Sequence, residues 1–286
     1  VEANTTAVLL LSCADQQGLV AAVSDFLYRH HGNIVHADQH TDRERRLFVQ
    51  RVEWELAGFD IARADIAAAF RPIAERFAMD WSLRFSDHVP RLALLVSKLP
   101  HCLYDLLARW RMGEIVADIP IIISNHDDAR PIADQFGIAY HHLSVDAGSK
   151  AAQEQRAAEV IDAAGADLVV LARYMQILSA DFIARYPSRI INIHHSFLPA
   201  FAGARPYHQA HERGVKIIGA TAHYATAELD QGPIIDQDVV RVSHRDTVAD
   251  LVKKGRDLEK VVLARAVDLH LGNRIVVLGN KTVIFD

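Results

Sequence analysis

The run Ile190 to Ala200, I-I-N-I-H-H-S-F-L-P-A, puts an amide and an imidazole at the end of a short apolar strand pattern. Asn192 and His194 are two residues apart, so on a strand their side chains leave the same face. From there an amide N–H could stabilise a developing oxyanion, and an imidazole, the side chain that titrates nearest neutrality, could carry a proton. A carboxylate to orient and charge-balance the imidazole is missing from the run. Asp230 is the best candidate, in the turn signature D-Q-G-P that follows A-H-Y-A-T-A-E-L. Each of the three also has a plain structural role open to it. Asn192 could bond to backbone at a strand end, His194 could be a satisfied core histidine, and Asp230 could be ordinary turn chemistry. Ser196 lacks the G-x-S-x-G elbow of a serine hydrolase. His194, His195, His208 and His211 match no standard zinc spacing, so no metal is expected.

Two longer stretches narrow the choice. N-I-H-H-S-F-L-P, followed by T-A-H-Y-A-T-A-E-L-D-Q-G-P-I-I, resembles the folate-dependent formyltransferase and deformylase superfamily. The double histidine, the segment R-W-R-M-G-E before D-I-P and an extra N-terminal domain resemble most its deformylase branch, which hydrolyses 10-formyltetrahydrofolate to tetrahydrofolate and formate. The resemblance runs through essentially the whole chain. It implies that Asn192, His194 and Asp230 are the catalytic asparagine, histidine and aspartate. It also implies that Met175, Gln176, Ile177 and Leu178, in L-A-R-Y-M-Q-I-L-S, line a slot for the pterin ring, with Thr226, Ala227 and Glu228 giving backbone contacts to it. His195 stands where the related transformylases commonly carry proline, and His223 is expected close behind the catalytic histidine. Phe201 to Ala210 resembles a loop flanking the active site, with a helix starting near Pro206. Folate enters as substrate rather than cofactor, and neither metal nor nicotinamide is implied. The place in metabolism would be one-carbon and purine supply.

One departure bears on the acceptor. A transformylase acting on a phosphorylated amine needs a glycine-rich phosphate-binding loop after its first strand. This chain has Val96-Ser97-Lys98-Leu99-Pro100-His101 there, without glycine and with a proline that removes a donor. That favours water as acceptor, although Lys98 could still attract an anion. The nearest alternative is formyl transfer to an amine; a non-enzymatic folate or amino-acid sensor is the alternative from another class.

The elements that must hold these residues follow from composition and period. With 286 residues, half of them hydrophobic and 23% charged, the chain is expected to be globular, of one or two domains. A net charge of −5 without long runs of one sign speaks against a nucleic-acid surface. Cys13 and Cys102 make no disulfide framework and suggest a reducing compartment. No signal segment or membrane-length apolar run is evident, so the cytoplasm is the expected location and no membrane partner is expected.

Residues 1–85 read β-α-β-β-α-β, with strands at Thr6–Ser12, Ile34–His40, Arg45–Trp54 and Met79–Phe85 and helices after Asp15–Gly18 and over Phe59–Phe77. The turn D-x-x-G-L-V resembles the small ligand-binding ACT domain, whose effector would be an amino acid such as glycine or methionine, or whose role would be subunit packing. Residues 86–90 are the expected linker. From 91 to 286, repeated strand–helix units predict a mainly parallel sheet covered on both faces, an α/β formyltransferase-type domain after the smaller ferredoxin-like one. A long helix over Val248–His270 and a hairpin around Gly279-Asn280 close the chain. Exposed sheet edges in the first domain lead us to expect a homo-oligomer, dimer or tetramer.

Overall fold

The computed structural model describes residues 5–145, 148–200 and 206–285. The expected loop over Phe201 to Arg205 therefore lies outside the described residues. The chain divides into two compact units. One takes the chain as far as Val89 together with Gly272–Leu278 and the residues from Val283 onward; the other comprises Pro90–Leu271 and Gly279–Thr282.

In the first unit the order is β1 (Thr6–Ala14), α1 (Leu19–Arg29), β2 (Asn33–Asp42), β3 (Leu47–Glu55), α2 (Ile66–Arg76) and β4 (Asp80–Phe85). The four strands form one antiparallel sheet in the order β2-β3-β1-β4, the split βαβ arrangement. Leu9, Leu11, Val52 and Trp54 pack against Val23, Leu27, Ile66 and Phe70 of the two helices. The second helix is shorter than expected. It starts at Ile66 rather than Phe59, because Phe59 turns inward onto Trp54 and Phe26 before the helical run begins. The turn into α1 rests on Gly18 in the left-handed region, at φ 91°, with no side-chain cap bond.

Alternation along β3 predicts a half-buried strand, yet Phe48 to Val52 are buried without a break and no residue of the strand is exposed. The cause lies at the far end of the chain. The terminal hairpin (β12, Ile275–Leu278, and β13, Lys281–Ile284) contributes Val276, Leu278 and Phe285 to a second small core with Val49. The first unit thus takes most of a hairpin that sequence order would assign to the 91–286 domain.

In the second unit the elements are β5 (Arg91–Val96), α3 (His101–Met112), β6 (Asp118–Ser124), α4 (Arg130–Phe136), β7 (Ala139–His142), α5 (Lys150–Ala163), β8 (Leu168–Leu171), α6 (Ala180–Arg185), β9 (Ile190–His194), α7 (Pro206–Arg213), β10 (Ile217–Tyr224), β11 (Ile234–Arg241) and α8 (Val248–Leu271). They build a seven-stranded sheet in the order β11-β10-β9-β8-β5-β6-β7. Strands from β9 to β7 pair in parallel, and β10 alone is reversed, pairing antiparallel with both β9 and β11. The central strands are apolar on both sides because both faces are covered. Ala93, Leu95, Val169 and Leu171 meet Ala157, Ile161 and Phe182 of α5 and α6, while α8 lies over β9, β10 and β11 and against α3. Among the described residues, no helix is long and apolar enough to cross a membrane.

Candidate active site

β9 sits at the point where the sheet changes from parallel to antiparallel, with β8 on one side and β10 on the other. Crevices outside the carboxyl ends of such strands are where α/β sheets bind ligands. Asn192 and His194 leave the same face of β9, and the antiparallel register puts His223 of β10 directly opposite Asn192. Beyond β10 the chain makes the turn carrying Asp230, itself left-handed at φ 57°. The tightness of that turn depends on Gly232, where a Cβ would meet the carbonyl oxygen of Tyr224 at 1.7 Å. No side chain fits, so the glycine is what folds Asp230 back over the strand ends.

The resulting contacts fix proton positions. Nδ1 of the buried His223 lies 2.9 Å from the carbonyl oxygen of Tyr224, and a carbonyl can only accept, so Nδ1 carries the proton. Burial holds the pKa of this imidazole below its ordinary value, which keeps it neutral. Its Nε2 is then an acceptor, filled by the Asn192 amide N–H at 3.2 Å. That contact orients the amide and leaves its second N–H without a partner among the described residues. Nδ1 of His194 lies 3.2 Å from the Asp230 carboxylate, and the hydrogen bond from His194 holds the Asp230 pKa below the usual carboxylate value against the opposing effect of burial. With Nδ1 donating to a carboxylate, Nε2 of His194 presents its lone pair. That buried atom has no hydrogen-bond partner among the described residues. His223 Nε2 stands 3.8 Å from the same carboxylate oxygen; with both atoms acceptors, this is proximity rather than a bond.

All of these groups line one open cleft of about 230 Å3. Met175, Gln176, Ile177, Leu178, Thr226 and Ala227 line it as well. Glu228 does not; its carbonyl accepts from the Thr226 hydroxyl at 3.0 Å, and Leu229 faces the cleft in its place. Met175, Ile177 and Leu229 are 56%, 60% and 59% exposed, an unusual amount of apolar surface to leave open on three neighbouring wall positions. A flat aromatic ring system is the kind of ligand that would cover it. The loop that carries Met175 is pinned by Ser97 at the end of β5, whose hydroxyl accepts from the Met175 N–H at 2.9 Å and donates to Asn125 at 2.7 Å. Sequence reasoning passed over Ser97, Arg173 and Glu259. An acid at 259 inside the apolar stripe of α8 (Leu251, Gly255, Val262, Leu263) was the available signal for the last.

Among the described residues, His194, His195, His208 and His211 form no group of three within metal-ligand distance of one another. The trio that does come within ligand distance of one another among the described residues is His101, Cys102 and Glu259. There Glu259 is already engaged by hydrogen bonds from His101 and Tyr207.

His195 stacks obliquely on His194, with ring centroids 5.0 Å apart, and burial followed by the Arg173 charge lowers its pKa to about 4. A histidine whose folded pKa lies below its unfolded value near 6.5 leaves the unfolded chain binding more protons as acid is added. Its share of stability is therefore present above about pH 6.5 and drains away as pH falls toward 4. The loss amounts to about 2–3 kcal/mol. Urea unfolding at pH 7.5 and 4.5 should show His195→Gln losing less stability between the two pH values than the parent chain; equal losses would mean that His195 is not buried neutral.

The formyl transferase family model matches residues 90–267, and the ACT domain model residues 7–75. A curated formyltetrahydrofolate deformylase of Synechocystis is 60% identical over 282 residues, 99% of each chain. A formyltetrahydrofolate deformylase structure from Pseudomonas syringae superposes with a TM-score of 0.97 at 47% identity, covering all of this chain and 96% of that one. A glycinamide ribonucleotide transformylase from Symbiobacterium toebii reaches a TM-score of 0.67 at 35% identity, over 72% of this chain and 98% of its own length.

Proposed function

The chain belongs to the formyltetrahydrofolate deformylase family, and from that premise we propose that Asn192, His194 and Asp230 are the set with which it hydrolyses 10-formyltetrahydrofolate to tetrahydrofolate and formate. The observation that carries the assignment is an imidazole, His194, that lines the cleft with Nδ1 on Asp230 and with Nε2 left without a hydrogen-bond partner among the described residues.

A formamide carbon is a weak electrophile, so water must lose a proton as it attacks. His194 Nε2 takes that proton while Nδ1 stays hydrogen-bonded to Asp230, whose negative charge offsets the charge on the imidazolium. Attack converts the formyl carbonyl into a tetrahedral oxyanion. The second N–H of Asn192, oriented by its bond to His223, donates to that oxygen. Collapse breaks the bond from carbon to N10, and His194 returns its proton to the departing nitrogen. One water is consumed, and the products are the N10–H of tetrahydrofolate and formic acid, which ionises to formate with release of one proton. The pterin ring rests on the apolar wall formed by Met175, Ile177 and Leu229, with Gln176, Leu178, Thr226 and Ala227 completing the slot.

The direct test is to incubate the protein with 10-formyltetrahydrofolate and no added amine, following tetrahydrofolate and formate together. Equal amounts of both are expected. Turnover that starts only when an amine is supplied would replace hydrolysis with transfer.

A further inference from the structure

The cleft is also lined by Arg173, which no step above uses. It is a buried arginine whose backbone lies in the left-handed region at φ 65°, a conformation that residues with a Cβ adopt at a cost unless their surroundings hold them there. Its backbone is tied by the Ser97 N–H, which donates to its carbonyl at 3.2 Å, and its side chain is set against Glu259. The guanidinium Nε stands 3.3 Å from a carboxylate oxygen of this acid, itself 1% exposed. Even so, Nε has no hydrogen-bond partner among the described residues.

The same carboxylate also takes two other donors. His101 Nε2 donates to one oxygen at 2.7 Å, and the Tyr207 hydroxyl donates to the other at 2.8 Å. Tyr207 can reach Glu259 only because α8 has a glycine one turn earlier, where a Cβ at Gly255 would stand 1.9 Å from the phenolic oxygen. Burial raises the pKa of Glu259, but the hydrogen bond from His101 and the charge of Arg173 outweigh it and hold the pKa below its ordinary value, so the acid stays a carboxylate. The ion pair therefore balances the arginine's charge without using up its donors. With Nε set against Glu259, the Nη groups of the planar fork are the donors that can take a small planar carboxylate.

The proposed reaction makes such a group in this cleft. Its substrate is neutral at the reacting carbon, and its product is an anion. We propose that Arg173, positioned by Glu259, His101 and Tyr207, forms a formate-binding subsite of the cleft. The choice of formate rests on the deformylase reading; the carboxylate chemistry of the subsite rests on Arg173 alone.

The experiment titrates 13C-labelled formate into substrate-free protein at constant ionic strength, reading its NMR line width, and in parallel measures formate as an inhibitor of turnover. Saturable broadening that chloride reproduces poorly is expected. Arg173→Met should weaken formate at least tenfold while tetrahydrofolate affinity stays within about threefold. Arg173→Lys, which keeps the charge but loses the fork, should fall between the two and stands in if the methionine variant does not fold. No binding to the parent chain, unchanged formate affinity in both variants, or an equal loss of formate and tetrahydrofolate binding would each overturn the subsite. Absence of turnover with 10-formyltetrahydrofolate alone would instead overturn the deformylase reading, whatever formate does.

Discussion

Replacing His194 by alanine is expected to lower kcat for formate release by about 10³-fold or more while tetrahydrofolate still binds within a few-fold of the parent affinity. General acid–base catalysis by one positioned side chain is worth about 10²–10⁴. This residue is assigned both proton transfers, one from water and one to nitrogen, so the loss should fall in the upper part of that range. Binding is expected to survive because the apolar side chains of the wall, Met175, Ile177 and Leu229, do not hydrogen-bond to the imidazole, and the turn of Asp230, the loop residue that does meet it, is held by Gly232. Rapid-quench kinetics beside equilibrium binding would separate the two effects. A kcat within tenfold of the parent would remove His194 from the reaction.

Asp230→Asn is expected to cost about 10³-fold in kcat with KM little altered. The amide has nearly the shape of the carboxylate but also carries donors. Where the carboxylate can only accept, and so fixes the proton on Nδ1 of His194, the amide N–H can donate to Nδ1 and move the proton to Nε2. The atom that should accept water's proton would then already hold one. Nitrogen-15 shifts of the His194 ring report the tautomer directly. A lone pair on Nε2 in the variant, with full activity, would mean that Asp230 does not set it. The depressed pKa of Asp230 adds a pH consequence: the parent enzyme should keep this contribution above the ordinary aspartate range and lose it only as pH falls below that range.

Much of the second unit could be read along the chain. Buried parallel strands announce themselves as continuous apolar runs, as in Leu168–Leu171, and Gly232 in D-Q-G-P marked a turn before its contact with Tyr224 could be known. Period two put Asn192 and His194 on one face. Other features depended on residues that are remote in sequence. The alternation of β3 is honest local information, yet Phe285 and Val276, more than two hundred residues later, bury its second face. Glu228 and Leu229 are neighbours with equal claims from sequence, and only the path of the turn decides that leucine faces the cleft.

The sequence by itself determined the residue types, the strand that aligns amide with imidazole and the glycine that forces the aspartate's turn, because each depends on neighbours within a few positions. Only the tertiary structure decided which nitrogen of His194 is left open, that His223 orients Asn192, and that Arg173 is matched to Glu259 with donors to spare. Those are properties of distances between strands, helices and loops, and hydrogen-bond roles are assigned only once the partners have met.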